Sequence, residues 1–136
     1  MSVERERRSA IMRSVKQKNT GAEMIVRRIA HAMGARYQLH RKDLPGRPDL
    51  VFPGRRLCIF VHGCFWHRHA GCRLASTPKT NVEFWHEKFA RNVERDMRKE
   101  AELRLAGWDV VTVWECETRS LEQLSTRLRA LLFPPS

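Results

Sequence analysis

The 136-residue sequence predicts an α/β fold, a mixed sheet flanked by helices. Three observations carry that expectation. Arg56-Leu-Cys-Ile-Phe-Val61 is a near-continuous apolar run, the pattern of a buried central strand. A long helical segment separates it from a second strand, and a strand–helix–strand crossover favours parallel pairing. Capping signatures open further helices on both sides of that unit. The length fits one domain, residues 1–136, around one hydrophobic core.

Residues 1–18 form a basic N-terminal segment, with Ile11, Met12 and Val15 spaced for one face of a short helix. Thr20-Gly-Ala-Glu23 reads as a capping box opening a helix over residues 22–33. Met24, Ile25, Ile29 and Met33 supply its expected apolar face, and Gly34 its stop. Residues 36–40 suggest a first strand, and Leu44-Pro-Gly-Arg-Pro48 a turn-rich loop. Asp49-Leu-Val-Phe52 reads as a short strand, after which Pro53-Gly54 turns the chain into the apolar run. Residues 62–81 are irregular and rich in Cys, His and aromatics. A helix fits residues 82–106, with Trp85, Phe89, Val93, Met97 and Leu105 tracing one face and Gly107 ending it. Residues 108–114 form a strand whose Trp108 and Trp114 read as core. Ser120-Leu-Glu-Gln123 opens a last helix carrying Leu121, Leu124, Leu128 and Leu131.

Lys and Arg number 26 against 15 Asp and Glu, a net charge of +11. Residues 1–81 hold 17 and 5 of these (+12), residues 82–136 hold 9 and 10 (−1). The whole excess lies in the first part, and nucleic acid is the polyanion it best fits. A membrane partner is not expected: no apolar run approaches about 20 residues, and no basic amphipathic helix has a clean apolar face. The N-terminus lacks the apolar stretch of a signal peptide, so a cytoplasmic protein is expected. Its four cysteines then read as ligands rather than disulfides. Between Lys18 and Val82 the only carboxylates are Glu23, Asp43 and Asp49. An acid inside a phosphate-binding region must avoid repelling DNA, and recruiting a divalent cation does so.

Cys64-Phe-Trp-His-Arg-His-Ala-Gly-Cys72 concentrates thiols and imidazoles, the preferred zinc ligands. Cys64, His69 and Cys72 supply three ligands. Cys116, just past a strand that pairs in parallel, is the best fourth. Cys58 competes, but inside an apolar strand it reads as a small hydrophobe. A long irregular loop also needs a clamp. The bland alternative is free thiols and surface histidines. Zinc on this set would leave His62 and His67 for chemistry, unless His62 is a satisfied strand-end residue and His67 a spare ligand.

Pro48-Asp49, a strand, a turn and an apolar strand resemble the skeleton of the PD-(D/E)xK nucleases, without their second acid and lysine. Phosphodiester hydrolysis needs metal ligands and a base for water. Asp49 offers a carboxylate, the Val61 backbone carbonyl a second ligand, and His67 a general base. Asp96 can orient a histidine, or be an exposed helical acid beside Arg95 and Lys99. Glu23 can reach the metal through water while also capping with Thr20. Phe65 and Trp66, pinned in the ligand-rich loop, could wedge between base pairs. Trp85, at the start of the long helix, reads more strongly as core.

Taken together, Leu44-Pro-Gly-Arg-Pro-Asp49, Phe60-Val-His-Gly-Cys-Phe-Trp-His67, Glu83-Phe-Trp85, Asn92-Val-Glu-Arg-Asp96 and Trp114-Glu-Cys116 resemble the very-short-patch repair (Vsr) endonucleases. The resemblance runs over about residues 12–132. It implies a restriction-endonuclease-like fold with a zinc-stabilised loop, and Mg²⁺-dependent nicking 5′ to the thymine of T:G mismatches left by 5-methylcytosine deamination. It implies Asp49 as Mg²⁺ ligand together with Val61, His67 as base, and His62, Glu23 and Asp96 in support. It implies Cys64, His69, Cys72 and Cys116 as structural zinc ligands, and Phe65, Trp66 and Trp85 as intercalating aromatics. Val61 stands where the family often has threonine, which a backbone ligand tolerates. His69-Ala-Gly-Cys72 is one residue longer than the family pattern. The expected partner is double-stranded DNA with a T:G mismatch, with repair-pathway proteins beyond it. The protein is expected to be a monomer, bacterial-type and associated with the nucleoid. The alternatives are a non-catalytic zinc-stabilised mismatch-binding module, and another nuclease of the same fold, of restriction or junction type.

Overall fold

The computed structural model describes residues 20–134. The short helix expected around Ile11, Met12 and Val15 lies outside them. The first described helix, α1 (Gly21–Ala32), starts where Thr20 caps it, the hydroxyl accepting from the Glu23 N–H at 3.1 Å. Its buried residues are Glu23, Val26 and Ala30, an i, i+3, i+7 set. Ile25, Ile29 and Met33 pack alongside. The apolar face is therefore centred between the predicted residues, with a carboxylate on its most buried line.

The first strand, β1 (Gln38–Leu39), is shorter than predicted because His40 adopts a left-handed φ of 48° and turns the chain out. Next come β2 (Leu50–Phe52), a 3₁₀ turn (Pro53–Arg55) and β3 (Leu57–His62). After the long helix α2 (Val82–Leu105) the chain forms β4 (Asp109–Trp114), a 3₁₀ segment (Glu115–Arg119) and α3 (Leu121–Leu132). The sheet order is β1-β2-β3-β4. β1–β2 and β2–β3 are antiparallel, while β3–β4 is parallel, running from Leu57↔Asp109 to His62↔Trp114. The mixed, helix-flanked sheet expected from the sequence is what forms.

Alternation along β3 assigns its two faces. Leu57 and Ile59 join Val26, Ala30, Leu50, Phe52 and Val113 in a core closed by Leu124, Leu128 and Leu132 of α3. Cys58 and Phe60 join Val51, Leu103 and Trp108 in a second core under α2. Cys58 is thus a core residue in mid-strand. Three expected core positions are corrected. Met97 and Leu105 of α2 are 65% and 89% exposed, and Leu103 is buried instead. At about 100° per residue, steps of four drift about 40° each, so a run at 85, 89, 93 and 97 spirals off the sheet. Leu121, the first residue of α3, is likewise exposed, and Leu132 completes the face.

The Leu44–Pro48 loop reaches its place through Gly46. Its φ is 75°, and a Cβ there would stand 3.0 Å from Lys99 Cβ and 3.2 Å from Phe60 Cζ. Close packing of this loop on α2 delivers Asp49 to the start of β2.

Candidate active site

Three clusters meet around the C-terminal ends of the parallel strands. The first lies beside Asp49. Its Oδ2 accepts the Val61 N–H at 2.7 Å. Glu23 is only 1% exposed, and its Oε2 lies 2.8 Å from His40 Nε2 and 3.5 Å from Arg27 Nη1. One ligand atom each from Glu23, His40 and Asp49 fall within 4.8 Å of one another. Burial, with Glu23 adding to it, pushes the Asp49 carboxyl up to about 7, although the Val61 N–H opposes this. Two buried carboxyl groups facing each other are what a divalent cation neutralises, so the donor set fits such an ion. The Val61 side chain packs with the α1–α3 core, so only its backbone faces Asp49 and an apolar residue suits the position.

The second cluster is built on His62, the last residue of β3. His67 Nδ1 lies 2.6 Å from Asp96 Oδ2. With Nδ1 engaged, Nε2 is the ring nitrogen left for chemistry. His62 stacks on His67 with centroids 3.8 Å apart and planes 6° off parallel. Burial, helped by the adjacent His67, pulls the His62 pKa down to about 3, so His62 is a neutral ring. Asp96 is not an exposed helical acid. It lies about 20° from Phe89 around α2, on the sheet-facing line.

The third cluster is Cys64, His69, Cys72 and Cys116, again within 4.8 Å. His69 Nδ1 is 3.7 Å from Cys64 Sγ and 3.4 Å from Cys116 Sγ. Tetrahedral zinc with Zn–S near 2.3 Å and Zn–N near 2.05 Å needs sulfur–nitrogen edges of about 3.6 Å. The geometry fits. Burial pushes the Cys64 thiol up to about 12 and also raises Cys116, so thiolates here call for a cation beside them. Cys72 is lowered, chiefly by the Leu74 backbone N–H. Cys58 lies outside the set, buried on β3.

Phe65, Trp66 and Trp85 come together. Phe65–Trp66 centroids are 5.0 Å apart, Phe65–Trp85 5.9 Å and Trp66–Trp85 5.8 Å, and all three rings are half-buried. Phe89 backs them, 5.2 Å from Phe65. Trp114 is not core either. It is half-buried, stacked on His69 at 4.2 Å and edge-on to His62 at 5.5 Å. Asp43 pairs with Arg41 at the surface and takes no part.

Four contributors escape the sequence reading. His40 is brought in by the β1–β2 hairpin, its N–H donating to the Asp49 carbonyl at 3.2 Å. Arg68 donates to the carbonyls of Phe65, Ala75 and Ser76 and lies 4.0 Å over the Phe89 ring, tying the loop together. Asn92 donates to the Trp66 carbonyl. Glu115 accepts from the Cys64 N–H. For Asn92 a signal existed, one helical turn before Asp96. For the others the contacts reach as far as 51 residues along the chain and follow no periodic pattern.

Comparison with known proteins gives a consistent picture. The family described as DNA mismatch endonuclease Vsr matches residues 2–73. The chain is 53% identical to the type II nicking enzyme V.XorIIP of Xanthomonas oryzae pv. oryzae, over 95% of this chain and 94% of that protein. It is 42% identical to the DNA mismatch endonuclease Vsr of Escherichia coli, over 87% of this chain and 75% of the relative. Among solved structures, the catalytic domain of the homing endonuclease I-Bth0305I superposes with a TM-score of 0.57. That match has 21% identity and covers 82% of this chain and 93% of that one. It speaks for the fold.

Proposed function

Because the chain belongs to the Vsr family of DNA mismatch endonucleases, and is thereby a DNA endonuclease, we propose that it nicks one strand of duplex DNA 5′ to the thymine of a T:G mismatch. What supports this reading is the juxtaposition, at one end of β3, of a buried carboxylate pair, an acid-oriented histidine and an aromatic cluster.

In this reading Asp49 and the Val61 carbonyl hold Mg²⁺, with Glu23 reaching it through water. The ion, when bound, supplies positive charge to the scissile phosphate. His67 takes the proton of the attacking water at Nε2, and Asp96 holds the ring through Nδ1 and steadies the imidazolium that results. The neutral His62 ring stacked on His67 keeps that ring from turning. Cys64, His69, Cys72 and Cys116 hold a structural Zn²⁺ that clamps the loop. Phe65, Trp66 and Trp85 part the base stack, which costs least at a mismatch. Residues 1–136 act as one domain and as a monomer. Among the described residues no helix is long and apolar enough to cross a membrane. A cytoplasmic site of action on bacterial DNA follows from the substrate.

Incision mapping with Mg²⁺ tests this. A T:G duplex should be cut in one strand, 5′ to the thymine, and a matched duplex left whole. A shifted band with no cut strand would leave only a binding module. Equal cutting of matched, branched and mismatched DNA would make the protein another kind of nuclease.

A further inference from the structure

We propose that His40 is itself a ligand of the divalent-cation site, which makes that site a carboxylate–imidazole set that prefers Mn²⁺ to Mg²⁺. The inference rests on the proposed cation at Asp49. His40 Nε2 and Glu23 Oε2 are 2.8 Å apart. Without an ion that contact is a hydrogen bond, but adjacent ligands on an octahedral ion with bonds near 2.1 Å stand about 3 Å apart, so one ion can take both atoms with little movement, Glu23 then binding without the intervening water. All three ligand atoms fall within 4.8 Å. Two carboxylates and a neutral imidazole carry two negative charges where Glu23 is 1% and Asp49 9% exposed; Arg27 Nη1, 3.5 Å from Glu23 Oε2, offsets part of them and a divalent ion the rest.

The position of His40 is determined from both sides. Its N–H is bonded to the Asp49 carbonyl at 3.2 Å, and its backbone holds a left-handed φ of 48°, uncommon for a residue with a Cβ. The turn that ends β1 therefore places the imidazole against α1. Nitrogen donors suit first-row transition ions, whereas Mg²⁺ takes oxygen. Mn²⁺ accepts both donor types and, unlike Zn²⁺, does not compete for the thiolates of the neighbouring cluster.

The test is Mn²⁺ binding to the zinc-loaded protein without DNA, read by calorimetry and by nitrogen hyperfine coupling to the bound Mn²⁺ in pulsed electron paramagnetic resonance. His40→Gln, which can still donate to Glu23, should lose the nitrogen coupling and bind Mn²⁺ about tenfold or more weakly. It should keep its zinc and its melting temperature without Mn²⁺, and its preference should move toward Mg²⁺. Mn²⁺ binding that Asp49→Ala abolishes but that shows no nitrogen coupling would overturn the role of His40 while leaving the proposed cation site standing. Coupling that survives in His40→Gln would assign the nitrogen to another histidine and equally overturn it. Absence of Mn²⁺ and Mg²⁺ binding together with absence of nicking would sink both this inference and the reading beneath it.

Discussion

Asp49→Asn should stabilise the metal-free protein at alkaline pH while ending its nicking activity. In the folded chain burial raises the Asp49 pKa from 3.8 to about 7. The folded state then binds that proton more tightly than the unfolded state does. The stability this supplies is full below about 3.8 and is lost as pH rises through about 7. Above that, the ionised carboxylate is buried against Glu23 and costs at most about 4 kcal/mol, from about three pKa units at 1.36 kcal/mol each. Asparagine has the same shape and no charge. Its Oδ1 still accepts the Val61 N–H, and its Nδ2 can donate to Glu23. At roughly pH 8.5 and without divalent ions, the variant should melt about 5–15 °C above wild type, at about 4 °C per kcal/mol for a domain of this size. The gap should close toward pH 4. Millimolar Mg²⁺ should raise the wild-type melting temperature and leave the variant's unchanged. The assay is thermal unfolding followed by circular dichroism, beside nicking of a T:G duplex. A metal-free variant that is native by circular dichroism but no more stable than wild type at alkaline pH would refute the reasoning.

Four further changes test other parts. Asp96→Asn leaves His67 without its carboxylate, and kcat should fall about a hundredfold or more with KM near wild type. An unchanged kcat would remove Asp96 from the mechanism. Cys116→Ser should lose zinc by metal analysis, and unchanged stoichiometric zinc would exclude Cys116 as a needed ligand. Trp66→Ala should weaken the preference for T:G over matched duplex about tenfold or more, as one lost stacking contact of about 1–3 kcal/mol implies, measured by competition binding. Leu128, fully buried between α3 and the sheet, should cost about 2–5 kcal/mol on Leu128→Ala, read by urea unfolding. A loss below about 1 kcal/mol would mean that this face repacks freely.

Much of this architecture is legible in the sequence because its signals are local. The apolar run of β3, the capping residues Thr20 and Ser120 and the stop at Gly34 each act within a few residues, and each recurs in the structure. Cys64, His69 and Cys72 stand close along the chain, and these ligand types within one long irregular loop suggest a shared ion. Errors arise where phase or distance matters. Met97 and Leu105 look apolar enough for a core stripe, yet their angular position on α2 carries them into solvent. Glu23, Val26 and Ala30 share one helical line, so the burial of Glu23 could have been read from its spacing. His40 could not. It reaches Glu23 only because β1 pairs with β2 and its own backbone turns left-handed, and neither feature has a composition cue. Trp114 looked like a core residue because strands usually bury tryptophan. It sits at the last paired position of β4, where the core has already ended.

That last paired position also explains how one short strand serves all three clusters. Parallel pairing ends at His62↔Trp114, so the next residues of each strand, Gly63-Cys64 and Glu115-Cys116, leave the sheet side by side. Cys64 and Cys116 meet for that reason, and Glu115 ties the two exits together through the Cys64 N–H. The Val61 N–H holds Asp49, and His62, next along β3, stacks on His67, which Asp96 holds. Trp114 lies between His62 and His69, edge-on to the first and stacked on the second. A slip of one residue between β3 and β4 would part the thiols and move Trp114 away from His62. A clamp joining the two strand ends, the role the Cys64–Cys116 pair is placed to fill, therefore fixes the β3–β4 register beside His62 without taking a ligand from either of the other two clusters.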